Sequence, residues 1–223
     1  MPATPLLVLS SGGLHSLVAA GVAARDSRIA MLHINDGRST AVQAAAAFEK
    51  QAAHFKPVKN WTISAGHWRQ MSLPPETSSV VHATGSDAAS PLIPFRELQM
   101  LSIAAGFARQ IRASAIVWGV QIEPKQTDAL ARGIELVQLM NQALDLLSPD
   151  SPLTLRTPLM GLEDGQVIEL GYQMSLPFTA SWSCQMAVEI PCMSCPACAR
   201  RIRAFRAAQL VDPLCAKKSV VKE

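Results

Sequence analysis

The sequence contains no run of about eighteen apolar residues, so no membrane-crossing helix is expected. No charged leader precedes its apolar opening, which argues against a secretory signal and for a cytoplasmic protein. It also lacks a dense basic stretch. Twenty Lys and Arg against 17 Asp and Glu leave a net charge of +3, too mild for the basic face of a nucleic-acid binder. The closing residues 217–223 read as a solvated tail. No internal repeat is present. Charge is scarce, 17% against 49% hydrophobic residues, which is the balance of a chain that folds around a core. At 223 residues, that core suits one domain, or one domain with a small appendage.

What is present begins near the amino end. Leu6-Leu7-Val8-Leu9 reads as a buried parallel strand, followed by Ser10-Ser11-Gly12-Gly13-Leu14-His15-Ser16 and then an alanine-rich helical segment. A strand turning through glycines into a helix leaves unpaired backbone N–H groups at the helix start, and these attract anions, phosphate above all. Gly12 and Gly13 permit unusual dihedrals and close approach, and Ser10, Ser11 and Ser16 add hydroxyl donors. An ordinary capped turn is the alternative. Two common phosphate motifs are missing: Gly-x4-Gly-Lys-Ser/Thr, because there is no lysine, and Gly-x-Gly-x-x-Gly.

The rest of the chain alternates. Residues 14–25 should be helical, 29–34 a strand ended by Asn35-Asp36-Gly37, 41–55 a helix and 59–63 a strand. Such βαβαβ order implies an α/β fold with a doubly wound, Rossmann-like parallel sheet. Ligands then sit at the carboxyl ends of strands, so the first loop and Asn35-Asp36-Gly37 should share a crevice. Residues 68–94 lack periodicity and are either a lid or an inert excursion. Pro94 enters a helix over 95–112, residues 115–120 form a strand ending near Gly119, and 127–147 is a long amphipathic helix. A fifth strand over 153–156 and helices over 165–172 and 199–208 complete the pattern.

Five cysteines is an odd number, and four fall within fifteen residues as Cys184-x7-Cys192-x2-Cys195-x2-Cys198. Clustering without an export signal points to metal rather than disulfides. Four thiolates at this spacing suit one tetrahedral structural zinc, with Pro191 and Pro196 stiffening the knuckle. An iron–sulfur cluster, a redox Cys-x2-Cys and unligated thiols are the other readings. The first lacks its further cysteine followed by proline, and the second is not at a strand-to-helix start. Cys215 lies outside the cluster and reads as an ordinary thiol.

Ser11-Gly12-Gly13-Leu14-His15-Ser16 resembles the Ser-Gly-Gly-x-Asp-Ser loop of the N-type ATP pyrophosphatases, whose fold is that of the adenine-nucleotide alpha hydrolases. Both ends of the chain together resemble the 7-cyano-7-deazaguanine synthase family, QueC/ExsB, over about residues 6–205. Ser181-Trp182-Ser183-Cys184-Gln185 matches its Thr-Trp-Ser-Cys-Tyr, and Cys192, Cys195 and Cys198 match its Cys-x2-Cys-x2-Cys. Arg201, Ala204 and Phe205 match its Arg-x-x-Ala-Phe helix, and Pro94-Phe95-Arg96-Glu97 its Pro-x-Arg-Asn. Gly119-Val120-Gln121, Gln126-Thr127-Asp128 and, loosely, Asn35-Asp36-Gly37-Arg38 match further family segments.

The resemblance implies a domain over residues 1–175 of ATP-pyrophosphatase type, with residues 176–223 forming a zinc knuckle and a helix packed on it. It implies an ATP-dependent C–N ligase of queuosine biosynthesis. Such enzymes convert 7-carboxy-7-deazaguanine to its nitrile with ATP, Mg²⁺ and ammonia, through an adenylate and an amide. By that resemblance Ser10, Ser11, Gly12, Gly13, Leu14, His15 and Ser16 line the ATP phosphates. Arg96 acts catalytically on phosphate or the substrate carboxylate, its alternative being a surface arginine. Asp128 accepts N–H groups of the base or merely favours a helix start, and Trp182 stacks on the deazapurine or covers the knuckle. His33 borders the nucleotide or is a core histidine. Zn²⁺ is held by Cys184, Cys192, Cys195 and Cys198. The expected partners are a small deazapurine and ATP, with no membrane and no nucleic acid; Mg²⁺ and a homodimer are open additions.

Four positions depart from the family pattern. His15 replaces an aspartate, Asp164 stands at a phosphate-binding lysine, Gln166 stands at a glutamate, and Glu97 replaces an asparagine. Imidazole suits Mg²⁺ poorly. Two other functions therefore stand beside the ligase. One is a nucleotide- or deazapurine-binding protein without turnover. The other is a related adenylating enzyme that joins a deazaguanine to a different nucleophile.

Overall fold

The computed structural model describes residues 4–72, 93 and 95–216, without the side chains of 215 and 216. Five strands form one sheet: β1 Leu6–Leu9, β2 Ile29–Asn35, β3 Asn60–Ser64, β4 Ala115–Trp118 and β5 Thr154–Arg156. All neighbours are parallel, in the order β3-β2-β1-β4-β5. The three central strands β2, β1 and β4 read as apolar runs because both sheet faces are covered.

Successive β1 residues point to opposite faces. Leu6 and Val8 pack with α1 (Leu14–Asp26), α2 (Ala41–Phe55), α5 (Asp164–Gln173) and α6 (Pro196–Ala207). Leu7 and Leu9 pack with α3 (Arg96–Gln110) and α4 (Thr127–Leu147). The sheet is therefore wound on both sides, as the alternation predicts. Phe205 and Ala204 of α6 lie in the first of these cores, so the cysteine-bearing segment is seated on the sheet domain. A short α7, Pro213–Ala216, follows.

The order changes direction at β1, whose neighbours are β2 and β4. That switch point opens a crevice at the carboxyl ends of the strands, where the glycine turn lies.

Two local readings change. Trp68 was expected to open the irregular stretch, but it is buried within a 3-10 turn, Gly66–Met71, against the α3 side of the core. The helix expected from Ala199 starts at Pro196. Residues 73–92 and Pro94, most of the lid expectation, lie outside the described residues.

Candidate functional site

The glycine turn sits between β1 and α1. Gly12 has φ +75°, and a Cβ there would meet the Ala44 carbonyl oxygen at 2.2 Å, so only glycine fits both the dihedral and the space. Gly13 is the N-cap of α1 and contributes no side-chain oxygen, so the first-turn amides of that helix are not capped from within. The Gly12 and Gly13 N–H groups lie 3.3 Å from the hydroxyls of Ser10 and Ser11. Ser16 Oγ donates back to the Gly13 carbonyl at 3.0 Å. Gly119, at the end of β4, closes the other side. A Cβ there would sit 2.9 Å from the His15 carbonyl oxygen, so β4 approaches the turn through a glycine.

Ser10 is buried, and its hydroxyl points inward, donating to Gln51 Oε1 at 2.9 Å. Gln51, wholly enclosed on α2, donates from Nε2 to the carbonyls of Ala180 (3.0 Å) and Gly13 (3.3 Å). One amide thus joins the turn, α2 and the segment leading to the cysteines. Sequence reasoning missed Gln51. The signal was there: a glutamine among Ala47, Phe48 and Ala52, on the buried face of an amphipathic helix.

Trp182 makes the second tie to that segment. Its backbone N–H donates to the Gly12 carbonyl at 2.9 Å, and its indole N–H donates to the Cys184 carbonyl at 2.8 Å. Turn and cysteine cluster are thereby adjacent.

Arg96, at the start of α3, donates to Asp36 Oδ2 at 3.0 Å. Asp36, buried at the end of β2, also takes the side chain of Arg38 through three contacts of 2.5–3.1 Å. Burial pushes the Asp36 carboxyl up. The hydrogen bonds and charge of Arg38, then those of Arg96, outweigh it and hold the group well below the usual carboxylate range. The cluster places two guanidinium groups around one carboxylate.

The two departures in the phosphate apparatus meet. His15 Nε2 lies 3.6 Å from Asp164 Oδ1. Asp164 is held by Arg200 of α6 through two hydrogen bonds of 2.8 Å, a bidentate fork. Arg200 also donates to Gln121, whose Nε2 donates to the Leu162 carbonyl. Burial raises the Asp164 carboxyl, but the hydrogen bonds from His15 and Arg200 outweigh it and depress it strongly. Arg200 has no signature in the sequence, because its partners lie 36 and 79 residues away.

The remaining expectations separate. Asp128 is exposed in the first turn of α4. His33 is buried and stacked on Phe48; its Nδ1 lies 2.9 Å from the Ser10 carbonyl, so that nitrogen carries the hydrogen, while Nε2 has no hydrogen-bond partner among the described residues. Burial lowers its basicity.

The sulfurs of Cys184, Cys192, Cys195 and Cys198 all lie within 4.8 Å of one another. Four sulfurs at about 2.3 Å from one tetrahedral ion stand about 3.8 Å apart, so the cage is the right size for a metal. Backbone N–H groups of Met186 and Cys192 point at Cys184 Sγ, that of Cys195 at Cys192 Sγ, and that of Cys198 at Cys195 Sγ. Such donors orient sulfur ligands and stabilise their anions. Backbone hydrogen bonds from Ser194 and Cys195 bring the Cys192 thiol down to about 6, whereas burial raises those of Cys184 and Cys198.

Residues 5–209 match the family model described as "Queuosine biosynthesis protein QueC". The chain belongs to the QueC family. The QueC-family chain is 30% identical over 215 residues to a 7-cyano-7-deazaguanine synthase of Chlorobium phaeobacteroides (strain BS1), covering 93% of itself and 95% of that relative. Identity and coverage are the same for a 7-cyano-7-deazaguanine synthase of Chloroherpeton thalassium. Among solved structures, the U34-tRNA thiolase NcsA from Methanococcus maripaludis with its [4Fe-4S] cluster superposes with a TM-score of 0.49 and 14% identity, over 78% of this QueC-family chain and 57% of its own.

Proposed function

We propose that this chain binds ATP at the glycine turn and activates the carboxylate of 7-carboxy-7-deazaguanine by adenylation, for amide and nitrile formation. The carrying observation is the junction of turn and cysteine segment, the 2.9 Å Trp182–Gly12 hydrogen bond, in a QueC-family chain. A carboxylate oxygen attacks the α-phosphorus and pyrophosphate leaves. Ammonia then attacks the acyl carbon and AMP leaves. Alignment of the carboxylate supplies much of the rate. Donors on the polyphosphate stabilise the charge that moves onto pyrophosphate.

In this reading the first-turn amides of Leu14, His15 and Ser16, with the exposed hydroxyl of Ser11, hold the phosphates, and Gly12 and Gly13 let the backbone approach them. Ser10 shapes the turn from beneath. Arg96, fixed by Asp36, presents its remaining N–H groups to phosphate or to the substrate carboxylate. Trp182 offers a ring face to the deazapurine, and Asp128 offers an acceptor to its N–H groups. The four cysteines hold a structural Zn²⁺ that stiffens the knuckle. Incubation with ATP, Mg²⁺, ammonia and 7-carboxy-7-deazaguanine, followed by mass spectrometry, tests the reading. AMP with amide or nitrile is expected. Absence of all three at high enzyme concentration rejects it.

One observation favours a second reading, ligand binding without turnover: Asp164, locked by Arg200 against His15, puts a carboxylate beside the turn. The double substitution His15→Asp, Asp164→Lys separates the two. Pyrophosphate release gained by the variant supports binding alone in the native chain, and release lost supports the ligase.

A further inference from the structure

Two side chains that the phosphate grip does not use, His15 and Asp164, meet beside the glycine turn. His15 is the second residue of α1 and Asp164 the first of α5. Helix side chains lean toward the amino end, so the His15 ring extends toward the space that the first-turn amides of α1 address. Its Nε2 stands 3.6 Å from Asp164 Oδ1, with the ring 28% and the carboxylate 17% exposed. The carboxylate is held in place, because Arg200 grips both of its oxygens at 2.8 Å. The backbones are fixed as well. Glu163 and Gln166 close a capping box at the start of α5. Gly165 brings α5 against α6, where a Cβ would lie 3.0 Å from that of Ala207. On its other side, the His15 carbonyl oxygen lies against Gly119. The three helices α1, α5 and α6 pack on the same side of the sheet.

An imidazole facing a fixed carboxylate is built for proton transfer. The carboxylate draws the ring hydrogen to Nε2 and leaves Nδ1 with a lone pair. Such contacts are commonly long before substrate binds and tighten with it. Burial pushes the Asp164 carboxyl up, yet hydrogen bonds from His15 and Arg200 keep it ionised. We propose that His15 is the general base of amide formation and that Asp164, fixed by Arg200, is its positioning residue. The inference rests on the ligase reading above and adds a proton path to it. As ammonia forms the C–N bond to the acyl carbon, its nitrogen sheds one proton to His15 Nδ1. The acyl C–O bond breaks, and AMP leaves with the electron pair. His15 then releases the proton to water. In the ligase reading the acyl carbon stays joined to the α-phosphate until AMP leaves, and the first-turn amides of α1 hold that phosphate. A side chain of the same turn is therefore within reach of the reacting nitrogen.

The test gives the full chain ATP, Mg²⁺ and 7-carboxy-7-deazaguanine with either ammonia or hydroxylamine, and follows amide and hydroxamate by mass spectrometry. Hydroxylamine attacks the same acyl carbon, but its protonated adduct is the stronger acid and loses its proton to water unaided. His15→Ala should slow amide formation by about a hundredfold or more and hydroxamate formation by less than about tenfold. Imidazole added to that variant should return at least about tenfold of the amide rate. Asp164→Asn keeps the ring and removes its carboxylate. It should slow amide formation by about tenfold or more, affect hydroxamate less, and gain nothing from imidazole. Circular dichroism checks each fold, and His15→Gln serves where the alanine variant unfolds. A folded His15 variant that makes amide within about threefold of the wild type overturns the proposal. An equal loss with both nucleophiles also overturns it, because His15 would then act in the nucleotide grip. The two readings fail differently. A wild-type chain that forms neither product removes the ligase and this inference with it, whereas a wild type that forms both, with no split between nucleophiles in the variants, removes this inference alone.

Discussion

Gln51 ties the glycine turn to α2 and to the segment leading to the cysteines. Its amide satisfies the Ser10 hydroxyl and the Gly13 and Ala180 carbonyls from a position with no solvent access. Gln51→Leu keeps the volume and takes a partner from the Ser10 hydroxyl and the Ala180 carbonyl, while the Gly13 carbonyl keeps the Leu17 N–H and the Ser16 hydroxyl. A destabilisation of about 2–4 kcal/mol is expected in denaturant unfolding, with weaker pyrophosphate binding because Ser10 no longer fixes the Gly12 N–H. A loss confined to stability would make Gln51 a core residue only. Asp36 and Asp164 set an acid limit. Both have folded-state values depressed below the unfolded value of about 3.9. Each therefore contributes stability that is fully present above about pH 5 and is lost as pH falls through and below 4. Asp36→Asn and Asp164→Asn should each flatten the acid limb of a stability–pH curve while lowering stability at neutral pH. An unchanged limb in both variants would contradict the ion-pair account.

The elements divide into those that local pattern announces and those that only the assembled fold explains. β2 and α2 were legible almost to the residue, one as a mainly apolar run around His33 and the other as an alanine-rich amphipathic helix. The start of α6 was not. Its N-cap is Cys195, whose sulfur accepts from the Cys198 N–H, and sulfur is outside the usual set of capping oxygens. β4 was read two residues too long because Gly119 and Val120 continue its apolar tone, whereas the close approach of Gly119 to His15 ends the pairing at Trp118. The cysteine cage and the glycine turn could be located from spacing. The His15–Asp164–Arg200 chain could not, since no local rule links α1, α5 and α6. What seats α6 is equally non-local. Arg201, almost fully buried, grips Asp212 at 2.7 and 3.0 Å and donates to Ser181 Oγ and the Phe178 carbonyl. Arg201→Ala removes the bidentate charged partner of the buried Asp212 carboxylate and should cost about 3–5 kcal/mol in chemical denaturation. Arg201→Lys, which keeps charge but not the fork, should recover only part of it.

For the whole molecule, the consequence is that the carboxyl-terminal knuckle and the amino-terminal turn form one mechanical unit across the sheet. Three routes join them: Trp182 to Gly12 by a backbone hydrogen bond, Ala180 to Gly13 through Gln51, and Arg200 to His15 through Asp164. A metal in the cysteine cage fixes the loop over residues 184–198, and its binding energy becomes folding energy for that region. The benefit should reach the turn, because the same segment supplies the partners of Gly12 and Gly13. Removal of bound metal with a strong chelator should therefore speed amide hydrogen exchange at residues 11–16 as well as at 184–200. Exchange in β1, β2 and β4, whose residues are buried on both faces, should hardly change. Trp182 should report the same event by fluorescence, since its indole N–H rests on the Cys184 carbonyl. Metal return should reverse both signals. If exchange rises only in the cysteine segment while the turn stays protected, the three ties are too weak to transmit the loss. The knuckle would then act as a separate stabilising clasp rather than as the far wall of the proposed nucleotide crevice.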